Sequence, residues 1–292
     1  MLARRRRFSP EKHQPVPVLP NPEVIGSRRR RAFALAVLAF SLMLGLDSGS
    51  DRSVETPPEG PDVILTGFAP FGHYKFNSSQ DLVNGLAGVC GEKNWDCLIL
   101  PDLPVDETNP GAAADEVIRA AMEKMPQGGV IIAFGQTPAL NLHWNSLRLE
   151  YFAGFSSQSW LRNKGPDPVK YQVSDPVYRT LAGAVEEWEE KNLSPDERLR
   201  FRSTFKQKTA GGYICEITAW ELMNFSQRQG REGVDYLILF VHVPVFEKLP
   251  RSTRMEAAVI LEKAIGLYDS GQESQVEYQL QVKADAPEDC NC

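Results

Sequence analysis

The sequence predicts an α/β domain, a parallel or mixed sheet with helices on both faces. Three observations carry this. Short apolar runs such as Val63-Ile64-Leu65 and Tyr236–Val241 have the length and content of strands buried on both sides. Segments with helical spacing of apolar residues stand between such runs. Strand and helix alternate along the chain, the pattern of crossover connections over a covered sheet.

Each element follows from local chemistry. Val63–Leu65 is a strand that ends in Thr66-Gly67, and Gly67–Asn77 is a loop. Ser78 or Ser79 can cap a helix running to about Val89. Cys97–Leu100 reads as a second strand. Thr108 or Asn109 precedes Pro110, and Ala112–Met125 has the spacing of an amphipathic helix. Gly129–Phe134 is a third strand and Leu147–Phe152 a fourth. Asp175–Asn192 is helical through Val177, Leu181 and Val185. Phe201–Phe205 alternates like a strand. Ile214–Gln227 is a helix with Ile214, Ile217, Leu222 and Phe225 inward. Tyr236–Val241 is the most apolar strand, and Met255–Leu267 is a closing helix. Residues 62–268 suffice for one core. Residues 269–292 form a polar tail.

Charge divides the chain. The 292 residues hold 32 Lys+Arg and 38 Asp+Glu, a net of -6. Residues 1–35 hold nine of those bases and only two acids, Glu11 and Glu23, so they carry +7 and the remainder carries -13. The basic head consists of Arg4–Arg7 and Arg28–Arg31 around a Pro-rich stretch. Ala32–Leu46 follows, apolar except for Ser41 and Gly45. A basic region before an apolar run is the layout of an export signal, so residues 1–46 read as a signal peptide or signal anchor. Fifteen residues make roughly 22 Å of helix, short of a hydrocarbon core of roughly 30 Å. Arginines that stay cytoplasmic place the body outside the cytoplasm, with residues 32–46 as a candidate membrane tether. The blocks flank no interleaved aromatics and the body is acidic, which argues against nucleic acid as a partner. Residues 47–61, rich in Ser, Gly, Pro and acids, read as a linker.

Sites in such sheets form at the carboxyl ends of strands. Three segments there carry chemistry. Thr66–Gly72 holds Phe68 and Phe71 between Gly and Pro, able to wall a small apolar pocket or simply to fill the core. Ala210–Cys215 places Cys215 in the first turn of a helix, where free N–H groups and the dipole favour thiolate. A lone cysteine can equally be a small buried hydrophobe. His242 closes the apolar strand Tyr236–Val241, where it is either a general base or a core histidine. Cys and His far apart in sequence, both at the end of the sheet, fit a nucleophilic pair.

These three segments, in this order, resemble the pyroglutamyl peptidase I (pyrrolidone-carboxylate peptidase) family of cysteine peptidases. Thr66–Gly72 matches T-G-F-x-P-F-G, and Gly135-Gln136 matches a G-Q after a middle strand. Ala210–Cys215 matches the nucleophile segment and Phe240–Pro244 nearly matches F-[IV]-H-V-P. The resemblance runs from about Asp62 to Leu267. It implies a single α/β/α sandwich domain with a mixed, mostly parallel sheet, and hydrolysis without metal or cofactor. The implied partner is a peptide with an N-terminal pyroglutamate. Cys215 would be the nucleophile and His242 its proton-transfer partner, with a glutamate orienting the histidine. Phe68, Phe71, Gln136, Tyr213 and Ile214 would line the substrate pocket.

The chain departs from that pattern between residues 137 and 165. The family offset for the glutamate falls on Ser146, and the first acid beyond it is Glu150, which keeps the E-x-x-A spacing with Ala153. Glu150 is therefore the candidate third member, on a loop about four residues longer. Thr137-Pro138-Ala139 replaces the usual G-G-R, and the family's arginine before Asn163-Lys164-Gly165 has no direct counterpart. His143 and Trp144 stand in this altered loop. The alternative reading is a pyroglutamyl peptidase-like protein that binds without catalysis or with altered specificity. Of the five cysteines, Cys90 and Cys97 flank a short turn and can bridge, and Cys215 is left as the free thiol; Cys290 and Cys292 lie in the tail.

Overall fold

A computed structural model describes residues 62–72, 74–137, 147–150, 152–153, 171–200 and 214–271, without the side chains of 152 and 198–200. In chain order the elements are β1 (Val63–Phe68), α1 (Ser78–Lys93), β2 (Cys97–Leu103), α2 (Ala112–Lys124), β3 (Gly129–Thr137), β4 (Arg148–Leu149), β5 (Phe152–Ala153) and β6 (Tyr171–Gln172). There follow α3 (Asp175–Asn192), α4 (Pro195–Arg200), α5 (Ile214–Arg231), β7 (Tyr236–Pro244) and α6 (Arg251–Asp269).

Every residue of β1 and of β7 is buried, as the continuous apolar runs require of strands covered on both faces. Strand order in the main sheet is β2-β1-β3-β7-β4. The first four strands are parallel, and β3 and β7 pair over their whole length, from Gly129 opposite Tyr236 to Thr137 opposite Pro244. Among the described strands of this sheet only β4 runs antiparallel, at the edge, with Arg148 opposite His242 and Leu149 opposite Val241. The architecture is thus α/β with a mixed, mostly parallel sheet. Gln136 on β3 meets the start of α1, whereas its neighbour Gly135 lies under Cys215 of α5. Alternate strand residues therefore face two helical layers, α1, α3 and α6 on one side and α2 and α5 on the other.

The helix ends have identifiable causes. Asn77, rather than Ser78 or Ser79, caps α1: its side-chain oxygen accepts from the Ser79 amide at 3.0 Å. Asn94 ends α1 in the left-handed conformation, φ 55°. Just beyond it, Cys97 opens β2 and is disulfide-bonded to Cys90, which staples the turn. α3 has Pro in its first turn and buries Val177, Leu181, Ala184 and Val185. Gly67 permits β1 to approach α1, since a Cβ there would stand 2.7 Å from the Ser79 carbonyl oxygen.

Several boundaries differ from the sequence expectation. The expected strand over 147–152 is two pieces: Arg148–Leu149 joins the main sheet, and Phe152–Ala153 pairs antiparallel with β6 in a second, two-stranded sheet. A run with apolar residues at both ends and charges inside looks continuous in sequence, but nothing local says which partner each half finds. β3 and β7 are longer than their apolar stretches because strand pairing carries them through Gly135–Thr137 and His242–Pro244. Helix α6 starts at Arg251, just after Pro250, rather than at Met255. The short helix α4 and strand β6 have no counterpart among the expected elements. The expected strand at 201–205, the N-terminal segment, the linker and the tail beyond 271 lie outside the described residues. Among those described, no helix is long and apolar enough to cross a membrane.

Candidate active site

Three neighbouring strand ends supply one face of the site. Gly135 on β3 and His242 on β7 are register partners, and Arg148 on β4 is opposite His242 on the other side. The Glu150 amide donates to the Phe240 carbonyl at 2.8 Å, so the antiparallel pairing continues past β4. Residues two apart in a strand share a face. Arg148, Glu150, Phe240, His242 and Gly135 therefore point to the same layer, the one that holds α5.

Helix α5 brings the sulfur. Cys215 is its second residue, half-buried, and is the free cysteine among the described residues. A helix's first N–H groups have no intrahelical acceptors, so the first turn presents donors and the positive end of the dipole. The Thr218 hydroxyl donates back to the Ile214 carbonyl at 2.9 Å. The sulfur sits directly over Gly135, where a Cβ would stand 2.9 Å from Sγ and 2.8 Å from Phe240 Cζ. Only a residue without a side chain leaves room for the thiol at this point.

His242 is the hinge of the group. It is 7 % exposed, and its Nδ1 is hydrogen-bonded to Glu150 Oε1. It also hydrogen-bonds the Cys215 side chain, for which Nε2 is the ring nitrogen left. Burial opposes charge on the ring. The Glu150 carboxylate, followed by Cys215, outweighs it and pushes His242 up to about 10. Glu150 is 2 % exposed. Arg148, also buried, is pulled down to about 10 by desolvation against the opposing pull of Glu150. An acid, an imidazole and a thiol thus stand in line, each in contact with the next.

The remaining expected residues divide. Phe68 is buried, and its ring lies 6.5 Å from Phe240, which in turn meets His242 edge-on at 5.4 Å. Phe68 therefore reaches the site through an aromatic wall. Phe71 is part-exposed in the loop after β1 and packs edge-on against Tyr74 at 5.9 Å; Tyr74 does the same to Phe76 at 6.4 Å. Gln136 faces the opposite layer, where its side-chain oxygen accepts from the Ser78 amide at 2.7 Å. Ile214 is buried in the core. Tyr213, His143 and Trp144 lie outside the described residues. Sequence chemistry singles out neither Arg148 nor the place of Gly135 beneath the sulfur, since Gly135 enters there only as part of the G-Q match. Arg148 carried a signal, since Leu147, Arg148, Leu149 and Glu150 alternate apolar and charged, which on a strand puts both charges on one face. Among the described residues no group of three or more His, Cys, Asp or Glu is arranged to hold a metal ion.

No protein-family model matches the chain, and no curated protein matches it in sequence. Among solved structures it is similar to the pyrrolidone carboxyl peptidase from Thermococcus litoralis. The identity is 16%, the match covers 75% of this chain and 100% of that one, and the TM-score is 0.49. It is also similar to the AMP nucleosidase from Bacteroides thetaiotaomicron, at 12% identity over 72% and 89% of the two chains, with a TM-score of 0.41. Likenesses of this size say nothing of chemistry, so the functional reading rests on the chain's own residues.

Proposed function

We propose that this protein is a cysteine hydrolase of the pyroglutamyl peptidase type, which removes an N-terminal pyroglutamyl group from peptides. The observation that carries the reading is the Glu150–His242–Cys215 relay, where two adjoining strand ends meet the first turn of α5. In this mechanism the Cys215 sulfur attacks the carbonyl carbon of the pyroglutamyl residue, and the carbonyl electrons move to oxygen. Amides of the first turn of α5 can hold that oxyanion. His242, charged because Glu150 steadies it, gives its Nε2 proton to the departing amine as the C–N bond breaks. Water then attacks the thioester, losing a proton to His242, and releases the free acid. Glu150 also fixes the ring tautomer, with Nδ1 occupied and Nε2 toward the sulfur.

The part-exposed Phe71 and the aromatic wall of Phe68 and Phe240 support a flat, small acyl group as the substrate's reacting end. The motifs quoted above narrow that to the lactam ring. An exported location is part of the same proposal. The basic head before an apolar run supports it, and so does the Cys90–Cys97 disulfide, a bond that persists in oxidising compartments.

The test is hydrolysis of a fluorogenic pyroglutamyl amide by the full-length chain, under reduction mild enough to keep Cys215 free. Release of fluorophore by the wild type and its loss in Cys215→Ser are expected. Turnover surviving that substitution would exclude the mechanism, and no turnover by the wild type would exclude the substrate.

A further inference from the structure

Strand β4 carries the acid end of the relay on a slender support. It is two residues long and, among the described residues, pairs with β7 alone, at the sheet's edge. Since the Glu150 amide points to the Phe240 carbonyl, Arg148 and Glu150 direct their N–H groups at β7, while Leu147 and Leu149 direct theirs away from it. A slip of one residue along β7 would turn Glu150 to the opposite face. A slip of two would carry it roughly 7 Å from its present place. Something besides the short ladder has to hold the register.

The outward Leu147 amide is buried with its residue and donates to the carboxyl of Glu256 on α6. Glu256 is 5 % exposed. It occupies the inward stripe of its helix, beside Ala257, Ile260, Leu261, Ala264 and Leu267. An apolar side chain would suit that stripe, and a buried carboxyl costs stability unless it is used. Burial, and after it the negative charge of Glu189 on α3, raises this carboxyl well above its usual range. The Leu147 amide is the group that opposes the rise. A carboxyl kept at such a position breaks the local pattern, as residues retained for a site do.

We infer that Glu256 is a positioning residue for the relay: by accepting the outward Leu147 amide it ties β4 to α6, sets the register of β4 on β7, and so holds Glu150 on His242 from the helical layer opposite Cys215. This rests on the reading of Cys215, His242 and Glu150 as the working set.

The experiment compares full-length Glu256→Gln, which keeps an acceptor oxygen, with Glu256→Met, which keeps the volume and removes the acceptor. The first readout is the low-field proton resonance of His242 Nδ1–H, seen by NMR without any substrate. The second is amide exchange at Leu147 and Glu150. In Glu256→Met the resonance is lost or shifted and Glu150 exchange rises about tenfold, the effect of one lost buried hydrogen bond. In Glu256→Gln both stay as in the wild type. On the pyroglutamyl amide, Glu256→Met lowers kcat about tenfold and leaves KM within about twofold. An unchanged resonance and unchanged Glu150 exchange in a folded Glu256→Met would overturn the inference. So would a Leu147 amide in the wild type that exchanges as fast as an exposed one, a measurement that needs no variant to fold. If the NMR and exchange results hold while the wild type does not cleave the amide, positioning stands and the substrate reading fails.

Discussion

Replacing Gly135 by alanine tests the packing of the site more sharply than removing a reacting group. The new Cβ would stand 2.8 Å from Phe240 Cζ and 2.9 Å from both Cys215 Sγ and Phe240 Cε1. Ordinary contact begins near 3.4 Å, so ring and sulfur must each give by at least 0.5 Å. Phe240 is fully buried, with Phe68 6.5 Å away and His242 at 5.4 Å. If the ring yields, it presses on His242; if the sulfur yields, it leaves the imidazole. Forced overpacking of this kind costs about 1–3 kcal/mol. A misplacement approaching 1 Å at reacting atoms costs up to about 100-fold in rate. Gly135→Ala is therefore expected to lose about 1–3 kcal/mol of stability in denaturant melts and about 10- to 100-fold in kcat/KM on the pyroglutamyl amide. Alkylation of Cys215 by iodoacetamide should slow with it. A variant with wild-type stability and an alkylation rate within about twofold of the wild type would refute the geometry, whatever the substrate is.

Two further outcomes follow from charge and from the covalent staple. His242 is raised from 6.5 to about 10 in the folded protein, so its charged form favours folding. That contribution is fully present below about pH 6.5 and is lost as pH rises toward about 10. An NMR titration of the ring should show imidazolium across neutral pH, and Glu150→Gln should bring its midpoint down; a wild-type midpoint near 6.5 would contradict the relay. Reduction of Cys90–Cys97, seven residues apart, should cost about 2–3 kcal/mol in urea melts on loop-entropy grounds, and an unmoved midpoint would show that the capped turn holds itself.

How far the chain could be read residue by residue depended on how local each cause was. The wholly apolar runs at β1, β3 and β7 leave no solvent face, so buried parallel strands follow from composition. The inward stripes of α2 and α3 are visible as spacing. The half of the site that lies on such elements was legible in the same way, Cys215 at a helix start and His242 at the end of an apolar strand. Glu150 was harder, because its segment follows a stretch where spacing from the family pattern fails. Its alternation with Arg148 indicated a shared face but no partner.

Local chemistry along the chain fixes the kind of element at each place, the acidic body under a basic head, and the residue types that stand at strand ends. These depend on neighbours within a turn or a strand pair, where periodicity and capping chemistry act. Tertiary structure alone decided that β4 lies against β7 rather than continuing into β5, that Glu150 meets Nδ1 of His242, and that Gly135 makes room for the sulfur. Those relations join residues 80 to 94 positions apart, and they hold only because one packed sheet sets all three strand ends side by side.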